Sequence, residues 1–151
     1  MNYLDYNIII DVFEALQKED YELAEKSLDN KFNSSIHSNG VSKKEFVELF
    51  RNIKIGMPDA VYAIENLILN GDSLMAKIKI AGTHTHTMPA LQKGWKSYKP
   101  TGKKINKIVS SIEVIMKGDK ILEIRNNKEN SGVAEGLLKE LELFPKNYSL
   151  N

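Results

Sequence analysis

The chain has no cysteine, so disulfide scaffolds and cysteine-ligated zinc or iron–sulfur sites are excluded. It has no long apolar run: Ile8-Ile9-Ile10 is typical, far short of the roughly 20 residues that span a bilayer. No basic region followed by an apolar one opens it, which predicts a cytoplasmic protein without an address segment. Glycine-rich phosphate loops, serine nucleophile elbows and carboxylates paired at catalytic spacing are lacking as well. Acid is missing from one stretch: Ser73 to Ile112 contains no Asp or Glu but eight lysines, which leaves −7 for the rest of a chain whose net charge is +1. Such segregation marks an anion-binding face, a surface for an acidic partner, or a solvated strand and loop.

What is present is enough for one domain: 151 residues, 42% hydrophobic and 27% charged. Leu4, Ile8, Ile9, Val12, Phe13 and Leu16 recur at helical spacing and predict an amphipathic helix from about Asp5 to Lys18. Asp20 is an N-cap for a second helix, Tyr21 to Leu28, and Asp29 to Gly40 reads as a loop with a short extended piece. Ser42-Lys43-Lys44-Glu45 fits a capping box, with Phe46, Leu49, Phe50 and Ile53 as the inner side of a third helix that Pro58 ends.

The period then changes to two. Ala60 to Leu69, Leu74 to Met88, Lys104 to Met116 and Lys120 to Asn127 read as four antiparallel strands, with turns at Asn70-Gly71-Asp72 and Lys117-Gly118-Asp119 and a long loop from Pro89 to Gly102. Val133, Leu137, Leu138, Leu141 and Phe144 suggest a closing helix stopped by Pro145. The order predicts an α+β domain, a curved four-stranded antiparallel sheet packed on N-terminal helices.

Parity sets the candidate site. On the long strand Leu74, Ala76, Ile78, Ile80, Gly82, His84 and His86 share the inward side; on the last, Leu122, Ile124 and Asn126 share one face. Polar groups that end apolar rows are satisfied core residues or anchors of a pocket. His84-x-His86 is also a two-imidazole metal spacing, but a third ligand is wanted and the only other histidine is His37, so no metal is expected. Lys93-Gly94-Trp95-Lys96-Ser97-Tyr98-Lys99 interleaves bases with aromatics, as a single-strand stacking groove does. The near-neutral pI of 7.8 argues against nucleic acid and for Trp95 and Tyr98 at a pocket mouth.

The motifs Met57-Pro58-Asp59-Ala60, Gly82-Thr83-His84-Thr85, Pro100-Thr101-Gly102-Lys103, Asp119-Lys120-Ile121-Leu122-Glu123 and Leu137-Leu138-Lys139-Glu140-Leu141, in this order and spacing, resemble the SnoaL-like polyketide cyclases of the nuclear transport factor 2-like (NTF2-like) superfamily. The resemblance implies a cone: a bent sheet around the N-terminal helices, a cavity for a small, largely apolar molecule, and a homodimer formed through the sheet. It implies cofactor-free ring closure by proton abstraction next to a carbonyl, with a carboxylate at the end of the last strand. That position carries across to Asn126, and an amide takes up no proton at neutral pH. Two readings stay open. One is a lyase- or isomerase-type enzyme with His84 as base, His86 beside it and Asn126 as donor, in a pocket lined by Ile80, Ile124, Leu122, Phe13, Trp95 and Tyr98. The other is a catalytically silent ligand-binding or assembly module.

Overall fold

A computed structural model describes residues 7–34, 41–126 and 132–143. The elements run α1 (Asn7–Gln17), α2 (Tyr21–Lys26), β1 (Leu28–Ser34), α3 (Lys43–Gly56), β2 (Val61–Asn70), β3 (Ser73–Thr83), β4 (Lys104–Lys117), β5 (Lys120–Asn126) and α4 (Val133–Glu140). His37, Asn127, Phe144 and Pro145 lie outside the described residues.

The caps are where the side-chain chemistry puts them. The Asp20 carboxylate accepts the Leu23 N–H at 3.2 Å, and Ser42 and Glu45 form the reciprocal box that starts α3. An isolated eleven-residue helix such as α1 is marginal in water, so its stability comes from its inner face. Ile9, Val12, Phe13 and Leu16 are buried there, each fully buried aliphatic or aromatic side chain contributing about 1.5–3 kcal/mol. Phe13 meets Phe50 edge-to-face at 5.2 Å, and Phe50 meets Phe46 at 5.2 Å and Tyr62 at 5.3 Å. This ring cluster, contributed by α1, α3 and β2, packs into the same core as the inward rows of the sheet.

The sheet has five strands in the order β1-β5-β4-β3-β2, not the four expected. The meander from β2 to β5 is antiparallel, and β1 adds to the far side of β5 in parallel, pairing Leu28 with Ile121 and Ser34 with Ile124. β1 is hard to see in the sequence because only Leu28, Phe32 and Ser34 turn inward among polar neighbours. Ser34 is fully buried yet satisfied, its Oγ donating to the Ile124 carbonyl at 3.1 Å. It also shortens α2, since Leu28 belongs to the strand.

β3 stops at Thr83, five residues before the expected Met88. Beyond it the backbone turns onto the end of α3, where the N–H groups of Thr85 and His86 both donate to the Gly56 carbonyl, at 3.2 and 3.1 Å.

Candidate functional site

Inward parity holds along β3. Leu74, Ala76, Ile78, Ile80, Gly82 and, one residue past the strand, His84 are buried, while Met75, Lys77, Lys79, Ala81 and Thr83 are half-buried. His84 is 0% exposed. Its Nδ1 accepts the Thr101 backbone N–H at 3.2 Å and lies 3.1 Å from Thr101 Oγ1, a hydroxyl that itself accepts the Lys103 N–H at 3.2 Å. An Nδ1 that accepts a proton donor has its lone pair engaged, so the ring is the neutral tautomer with its proton on Nε2. Nε2 is buried and has no hydrogen-bond partner. Burial holds the imidazole below its ordinary pKa of 6.5, with the backbones of His86 and Tyr98 acting more weakly the other way. In this geometry His84 is a hydrogen-bond donor; the free lone pair that a base needs is occupied.

His86 is exposed and does not share the inward side. The two-residue alternation ends with the strand, and His86 Nδ1 lies 2.9 Å from the Thr85 hydroxyl. Asn126, the last residue of β5, is half-buried, and Ser110 Oγ donates to its Oδ1 over a long 3.4 Å. The ladder sets Asn126 opposite Ile112 and Ile112 opposite Ala76. His84 is eight residues further along from Ala76, roughly 26 Å of extended chain. The register therefore sets Asn126 and His84 at different positions along the inward side of the sheet.

The expected pocket walls divide in the same way. Ile80, Ile124 and Phe13 are buried core residues. Leu122 is not in their row: Ile115 pairs with Glu123 and Met116 with Ile121, so Leu122 is the extra residue of a bulge, and Ile121 takes its inward place. Trp95 is half-buried against the core and Tyr98 is buried, with Lys96 Nζ 5.2 Å from the Tyr98 ring centroid. Both rings pack toward the core, while Lys93, Lys96 and Lys99 beside them are exposed. Among the described residues no group of three His, Asp or Glu side chains is placed to hold a metal.

Two residues of this region carried no sequence signal of their own. Thr101 belongs to the Pro100-Thr101-Gly102-Lys103 motif, but its bond to His84 spans 17 residues. Ser110 is turned inward because the register slips between Ile78 and Lys79, making Val109 the unpaired residue of a second bulge.

No protein-family model matches the chain, and no curated protein sequence does. Solved structures do. AclR of Streptomyces galilaeus, a protein assigned as a hydroxylase, is 18% identical with a TM-score of 0.62 over 89% of this chain and 78% of that one. A protein of Bacillus cereus assigned as a polyketide cyclase is also 18% identical, with a TM-score of 0.62 over 87% of this chain and 76% of the other. A protein of Jannaschia assigned as a SnoaL-like polyketide cyclase is 15% identical, with a TM-score of 0.60 over 84% and 90%. The fold is the SnoaL-like, NTF2-like one. At such identities the likeness carries the architecture alone, because this fold hosts unrelated chemistries and activity resides in individual side chains. Asn126 and His84 end inward rows with polar groups, as Ser34 does at the end of β1.

Proposed function

We propose that this protein binds a small, largely apolar organic molecule carrying an acceptor oxygen, on the helix-facing side of the sheet, with Asn126 as the polar anchor. The observation that carries the reading is Asn126 itself: a half-buried carboxamide at the end of an apolar row, its Oδ1 accepting from Ser110 and its amide group a hydrogen-bond donor. Neither Asn126 nor the Nδ1-engaged His84 supplies a free base, which favours binding over proton abstraction.

The test is titration of uncharged aromatic ketones, such as 1-tetralone, followed by amide and side-chain NMR shifts. Binding should perturb the Asn126 NH2, and Asn126→Ala should weaken it about tenfold, equivalent to about 1.4 kcal/mol. Absence of any perturbation, or equal affinity in the variant, overturns the reading.

A second reading, a cofactor-free lyase- or isomerase-type enzyme, is favoured by the unpartnered His84 Nε2–H, a neutral donor suited to an enolate oxygen. It requires deuterium uptake next to the ketone carbonyl in D2O above the solvent rate, lost in His84→Gln. Uptake at the solvent rate removes it.

We further place the protein in the cytoplasm as a homodimer formed through the outer sheet face. Ile68 and Ile108 are 58% and 41% exposed there, paired with Met75 and Lys79 of β3. Among the described residues no helix is long and apolar enough to cross a membrane. Sedimentation should give a dimer that Ile108→Lys dissociates; a monomeric parent protein contradicts this part.

A further inference from the structure

Between β3 and β4 the chain from His84 to Lys103 forms no helix or strand beyond one bridge between Met88 and Tyr98, and it lies as a strap across the end of α3. Its underside is apolar: Met88, Leu91 and Tyr98 are buried and Trp95 is half-buried. Three attachments hold it. Thr85 and His86 donate to the Gly56 carbonyl, and Asn52 Nδ2 donates to the Ala90 carbonyl at 2.9 Å. At the base, His84 N–H donates to the Lys103 carbonyl at 2.9 Å, Gly102 N–H donates to the His84 carbonyl at 2.8 Å, and Thr101 N–H donates to the His84 ring. Only the last of these contacts depends on a group that titrates near neutrality.

We infer that His84 is a proton-sensitive latch, which keeps the strap closed while its ring is neutral and releases the Pro100–Lys103 limb when Nδ1 takes a proton. A protonated Nδ1 is a donor and faces the Thr101 N–H, another donor, so the bond is replaced by a repulsion. The charge would also sit on a fully buried ring. The backbones of His86 and Tyr98 and the Thr101 hydroxyl can accept from the charged ring, but they offset its burial only in part, and no side-chain charge makes up the difference. On the strap, Lys103 is cationic and ion-paired with Glu142, His86 is exposed two residues away, and the Tyr98 phenol is buried. At the start of β4, Lys104 is paired with Thr83. The turn after α3 brings one carboxylate, Asp59, which is bound to the Thr83 N–H. α3 contributes Asn52 and the Gly56 carbonyl, neither titratable.

The released ring titrates near its ordinary 6.5 and the latched ring lower, so closure is at full strength above about 6.5 and is lost progressively as pH falls below it.

Trp95, the one tryptophan of the chain, reports on the strap. From about pH 8 to about pH 5 its emission should shift to the red while the far-ultraviolet circular dichroism is unchanged. Over the same range, amide exchange at Thr101 and Gly102, corrected for intrinsic rates, should rise by up to about tenfold per pH unit. His86→Gln should leave the transition in place and His84→Gln should abolish it. Should His84→Gln fail to fold, Thr101→Ala, which removes the hydroxyl beside Nδ1 and keeps the N–H, should move the midpoint. Emission and exchange independent of pH in the parent protein, a transition that survives His84→Gln, or an unmoved midpoint in Thr101→Ala overturns the latch.

Discussion

The Asp59 carboxylate accepts the Thr83 backbone N–H at 2.7 Å, tying the turn after α3 to the last residue of β3. Beside it Gly82 has no room for a side chain, since a Cβ there would stand 2.8 Å from Met57 Cε and 3.0 Å from Ala60 Cα. Met57-Pro58-Asp59-Ala60 and Gly82-Thr83-His84, separate motifs in the sequence, are two halves of one joint. That joint sets where β3 ends, and so turns His84 inward and His86 outward.

Asp59→Ala should lower stability by roughly 1 kcal/mol at neutral pH, the low end for a bond to a charged acceptor because the carboxylate is exposed. The Thr83 N–H holds the Asp59 carboxyl below its ordinary 3.8. A depressed carboxyl stabilises above the unfolded value, so the difference between parent and variant should be constant above about pH 5 and disappear as pH falls below 3.8. Urea unfolding across acid pH measures it; a difference independent of pH contradicts the assignment.

Gly136 lies within α4, where alanine normally improves a helix by about 1 kcal/mol. Here a Cβ would be 2.0 Å from the Val109 carbonyl oxygen, a backbone atom of β4 that cannot step aside. Gly136→Ala should therefore destabilise by about 3 kcal/mol, the upper part of the range for overpacking, seen as a drop in the thermal midpoint. A neutral or stabilising substitution would mean that α4 is not seated on β4 in this way.

Gln17 mimics a neighbouring strand at the open edge of β2. Its Nε2 donates to the Ala60 carbonyl at 2.8 Å and its Oε1 accepts the Tyr62 N–H at 2.7 Å. Gln17→Ala should cost about 1–2 kcal/mol and expose an unpaired edge. Light scattering should then show concentration-dependent association beyond that of the parent protein; identical sedimentation of the two rules out a protective role.

Tyr62 donates its hydroxyl to the Phe50 carbonyl at 3.0 Å inside the ring cluster, and burial pushes the phenol far above its ordinary 10. Tyr62→Phe should cost about 1 kcal/mol near neutrality. Because the folded value is raised, this group's contribution is complete below pH 10 and lost as pH rises beyond it, so the variant should lose less stability in alkali than the parent. Parallel alkaline unfolding curves for the two proteins would contradict it.

Much of the architecture was legible because it is local. The period-two alternation from Leu74 to His84 is a property of one strand, and the Ser42–Glu45 box and the Asp20 cap involve neighbours three residues apart. Those patterns were enough to place the helices, the antiparallel meander and the inward direction of His84. They also set Asn126, an amide, where the SnoaL-like resemblance expects an acid.

Tertiary structure decided the rest, because each remaining feature depends on a partner distant in sequence. β1 exists as a strand because Ile121 and Ile124 offer it a ladder, and Leu122 is displaced because β4 and β5 pair with one residue to spare. The tautomer of His84 is set by Thr101, and the separation of His84 from Asn126 by the register of three strands. Composition and periodicity specify which face a residue prefers; long-range pairing specifies what it meets there.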